Sequence, residues 1–64
     1  MSLSIYLDTS RVPVHMMHPL NRFELMCVMT GRKSCTDGDV RDFLRDEYGS
    51  DLANEFKPEY MLSD

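Results

Sequence analysis

Thr30 to Gly49, TGRKSCTDGDVRDFLRDEYG, holds a helix end, a loop and one fully punctuated helix. Thr36 followed three residues later by Asp39 is a capping-box start, with the carboxylate close to the orphan N–H groups. Asp37 and Asp39 both fall in the first turn, where the helix dipole favours negative charge. Val40, Phe43, Leu44 and Tyr48 then recur at i, i+3, i+4 and i+8, which is one face of a helix. Gly49 closes the run, because a left-handed C′ position is nearly free only for glycine. Start, face and stop agree on a helix over about residues 37–48.

The other side of that helix carries Asp39, Asp42 and Asp46 at i, i+3 and i+7. At about 3.6 residues per turn the three carboxylates share a narrow sector. Arg41 and Arg45 flank them, and Arg41 follows Asp37 by four residues, an orientation that adds helix support. Such a column is either a solvated face laced with ion pairs or a contact surface for a basic partner.

Charge divides the chain at the same point. Residues 1–35 hold two acids against four cations, a balance of +2, and residues 36–64 hold nine acids against three, a balance of −6. The whole is −4. An acidic half of this density repels nucleic acid and steers basic surfaces toward itself.

Downstream of Gly49, Ser50 can cap a short helix over about residues 51–57, with Leu52, Ala53 and Phe56 inward and Pro58 as the stop. Tyr60, Met61 and Leu62 follow. Three large apolar residues at a chain end, where tails normally fray, either dock on the core or meet another molecule.

Upstream, PLNRFELMCVMT reads as a helix from Pro19 to Thr30, with proline at the first position and Gly31 beyond the end. Leu20, Phe23, Met26 and Cys27 form one apolar arc, and Leu25, Val28 and Met29 form another. A helix apolar on two sides belongs in the middle of something, either between its own neighbours or against a second molecule. Arg32 and Lys33 beyond its end suit the dipole.

The N-terminus alternates. Leu3, Ile5 and Leu7 against Ser4 and Tyr6 make a strand over residues 2–7, and Val12, Val14 and Met16 make a second after a polar turn at Asp8 to Arg11. Pro13 confines that second strand to an edge or to partial pairing. The fold class that results is α+β: a short β-hairpin, or an extended arm, followed by three helices at about 19–30, 37–48 and 51–57, all in one small domain over residues 1–64.

A chain of 64 residues buries a small core, and such domains often lean on a disulfide, a metal or a partner. The N-terminus lacks the basic segment and apolar core of a secretory signal, and no apolar run has membrane-spanning length. Those features point to a cytoplasmic protein with Cys27 and Cys35 as free thiols.

The donor atoms of His15, His18, Cys27 and Cys35 could hold zinc, although only His15 and His18 have the close spacing of a ligand pair. Met16 and Met17 between them are soft enough for Cu(I). TDGDVRD lacks the ligand positions and closing glutamate of a calcium loop. Cys35 beside a histidine would need a third group to act as a nucleophile, so catalysis is not expected. The two C-terminal helices resemble a helix-turn-helix in outline, but the second carries Asp51 and Glu55 against Lys57 alone, the wrong sign for phosphate.

The reading that follows is a small acidic protein-binding module without a cofactor, an inhibitor or adaptor of the type phages and other mobile elements encode. It would dock Asp39, Asp42, Asp46, Glu47, Asp51 and Glu55 onto a basic, nucleic-acid-binding surface of a larger protein. Two alternatives come from other classes: a metal-binding protein using the histidines and cysteines, and a self-associating subunit using the apolar helix.

Overall fold

The computed structural model describes residues 2–63. In chain order it runs β1 (Leu3–Leu7), α1 (Val14–Met29), β2 (Ser34–Cys35), α2 (Asp37–Tyr48), α3 (Ser50–Glu55), a 3-10 turn (Pro58–Tyr60) and β3 (Met61–Ser63). This is an α+β fold with an N-terminal strand and three α-helices. Its sheet has the order β2-β1-β3, antiparallel throughout.

The expected N-terminal hairpin does not form. Val14 and Met16 belong to α1, which begins five residues before Pro19, and Val12 is buried in the turn that precedes it. The reason lies in a helical period that overrides the alternating one. Met16, Leu20, Phe23 and Cys27 recur at i, i+4, i+7 and i+11 and are all buried, so one continuous stripe enters the core. Proline at position 19 removes the bond to the His15 carbonyl, but Pro19 and Met16 are themselves buried in return. Pro13 takes the N-cap position with extended backbone (φ −62°, ψ 150°). Asp8 closes the turn before it, accepting from the Ser10 hydroxyl at 2.6 Å and from Arg11 at 2.6 Å.

The partners of β1 come instead from the middle and the end of the chain. Leu3 pairs with Cys35 on one side and with Ser63 on the other, and Leu7 pairs with Met61. Between those two pairs β1 contributes more residues than β3, so the ladder is irregular there, as a bulge makes it. Tyr60 and Met61 dock into the core while Leu62 stays exposed.

The helix over residues 37–48 forms with those bounds and with both bonds of the capping box, Asp39 N–H to Thr36 Oγ1 and Thr36 N–H to Asp39 Oδ2, each 3.1 Å. Gly49 ends it at φ +102°, ψ 167°, outside the left-handed helical well and in a region open essentially to glycine alone. The same residue is the N-cap of α3. The third helix stops at Glu55, two residues short of the expected end. Lys57, preceding Pro58, is extended at φ −127°, ψ 139°, because the proline ring crowds a helical predecessor.

At the end of α1, Arg32 N–H bonds the Cys27 carbonyl and Gly31 N–H bonds the Val28 carbonyl, with Gly31 at φ +79°. That is a Schellman motif. The core gathers Ile5 and Leu7 from β1, the α1 stripe, Val40 and Leu44 from α2, Ala53, Phe56, Tyr60 and Met61. No charged or polar residue among those described is buried with it.

Candidate interaction surface

On α2 the capping box and the acidic column share a residue. Asp39 Oδ2 accepts from the Thr36 backbone and from Arg32 Nη2 at 2.6 Å. The Arg32 hydrogen bond, followed by the Thr36 N–H, holds the Asp39 carboxyl below its usual range. Asp39 thus ties the end of α1 to the start of α2.

The remaining acids divide by whether a cation answers them. Asp42 pairs with Arg45, one helical turn along, in an exposed contact. Glu47 lies 3.6 Å from Arg22 of α1, whose guanidinium also donates to the Tyr48 hydroxyl at 3.0 Å and sits over the Tyr48 ring. Glu55 Oε2 is 2.8 Å from His15 Nε2, joining α3 to α1. Asp46 and Asp51 are exposed and have no ion pair among the described residues. The exposed pairs at Asp42 and Glu47 contribute little and exchange readily for other cations. The face is therefore held in place at Asp39 and open at Asp46 and Asp51.

Arg41, which the spacing placed beside the column as a solvent cation, has a different role. Its Nε donates to Asp37 at 2.9 Å, Nη1 to the Ala53 carbonyl at 3.0 Å and Nη2 to the Phe56 carbonyl at 2.8 Å. The guanidinium also lies 5.5 Å from the centre of the Phe56 ring. It caps the carbonyl end of α3 from the side of α2, adding to the Phe56 N–H that the Ala53 carbonyl already accepts and serving the Phe56 carbonyl at the C-cap. No local pattern announces this, because acceptor and donor lie on different helices.

The two arcs of α1 part company. Leu20, Phe23 and Cys27 face the core; Met26 reaches the rim; Leu25, Val28 and Met29 face outward. Arg22, Leu25, Met26, Met29 and Thr30 line an open groove of about 280 Å³.

The metal-donor set is not assembled. His15 and His18 lie on the exposed side of α1, while Cys27 and Cys35 are buried. Among the described residues no three His, Cys, Asp or Glu side chains converge as a metal site requires. Neither Cys27 nor Cys35 is in a disulfide; burial pushes the Cys27 thiol up, and the Cys35 thiol donates to the Ser4 carbonyl at 3.6 Å. They pack as small hydrophobes. His15 and Glu55 share a second groove with Pro13, Met16, Asn54, Lys57 and Tyr60. Among the described residues no helix is long and apolar enough to cross a membrane.

Compared with protein families, with curated proteins and with solved structures, the chain matches none of them.

Proposed function

We propose that this chain is a non-catalytic protein-binding module, an inhibitor or adaptor whose acidic α2–α3 surface contacts a basic surface of a partner protein. The observation that carries the reading is the pair of exposed acids, Asp46 and Asp51, that no cation answers among the described residues. Asp42 and Glu47 extend that surface, since their exposed ion pairs can be traded for cations of the partner. Asp39 supports the surface from within and is a positioning residue. Glu55, committed to His15, lies at its margin.

The test uses the whole protein as bait in cells of the source organism, wild type against an Asp46→Lys, Asp51→Lys double variant. A partner retained by the wild type, released as salt rises and lost by the double variant supports the reading, because exposed charges are screened beyond about 8 Å at physiological ionic strength. Equal capture by both proteins, indifferent to salt, overturns it. Circular dichroism of the variant checks that the fold is intact.

A further inference from the structure

We draw no further inference here: the strongest candidate, the exposed apolar arc of α1 formed by Leu25, Met26, Val28 and Met29, carries nothing, because Arg22 beside it is already engaged by Glu47 and Tyr48 of the same chain and nothing in the structure shows what covers the arc.

Discussion

Arg41 shows how much one side chain can hold. Its three donors reach a carboxylate of its own helix and two carbonyls at the end of the next. Lysine has no planar fork to reproduce this, so Arg41→Lys is expected to cost about 1–2 kcal/mol in a urea melt; an unchanged midpoint would mean that water serves Ala53 and Phe56 equally well. Thr36→Ala removes a cap and should cost on the order of 1 kcal/mol. Asp39 adds a pH signature. Its carboxyl is depressed from the ordinary 3.8 by Arg32 and by the Thr36 N–H, so the folded state binds this proton less readily than the unfolded state does. The contribution is therefore complete above the ordinary value and lost as pH falls through the depressed one. Melting temperature followed downward from pH 5 should drop more steeply in the wild type than in Asp39→Asn, which begins less stable and has no carboxyl to protonate. Parallel curves would remove Asp39 from the acid response.

At the scale of elements, the joint between α2 and α3 is a single glycine. A side chain at position 49 would be strained by the backbone alone, since a Cβ there would touch nothing within 4 Å while the φ of +102° is costly for any residue but glycine. Gly49→Ala should destabilise by on the order of 1–3 kcal/mol. Gly38, inside the first turn of α2, is the counter-case: a Cβ would meet only Thr36 Oγ1 at an ordinary 3.7 Å, and Gly38→Ala should stabilise by about 0.5–1 kcal/mol. Chemical denaturation of the two variants gives opposite signs if the backbone is as described. The same contrast explains what could be read from sequence. α2 was legible because its cap, face and stop are all local, from Thr36 to Gly49. The sheet was not, because Leu3 finds Cys35 and Ser63, residues that no periodicity connects with it. The start of α1 was masked by Pro13 and Pro19, which imitate an edge strand and a helix start, while the stripe from Met16 to Cys27 that decided the matter spans both readings. Among the candidate contact residues, the spacing placed Asp39, Asp42 and Asp46 on one helix, but only tertiary structure separates Asp39, bound to Arg32, from Asp46, bound to nothing described.

At the scale of the whole molecule, α1 is the decisive element because it has two apolar sides and only one core to fill. A chain of this length is stable by only about 3–10 kcal/mol. Phe23 is 1% exposed and meets the Phe43 ring edge-on at 5.5 Å between centroids, so Phe23→Ala removes about 3–5 kcal/mol, much or all of what the chain has. Met29, six positions along the same helix, is 77% exposed, and an exposed substitution away from special features typically shifts stability by no more than about 0.5 kcal/mol. Phe23→Ala should therefore be unfolded or nearly so at room temperature, whereas Met29→Lys should keep the helical signal and, at dilute concentration, the melting temperature of the parent. Two nearby hydrophobic residues on one helix thus give opposite outcomes, and hydropathy alone does not rank them, since both sit in apolar arcs of similar length. Thermal melts of the two variants side by side decide it. A Phe23→Ala protein that melts within a few degrees of the parent, or a Met29→Lys protein that does not fold when dilute, would mean that the inner and outer arcs of α1 are assigned the wrong way round.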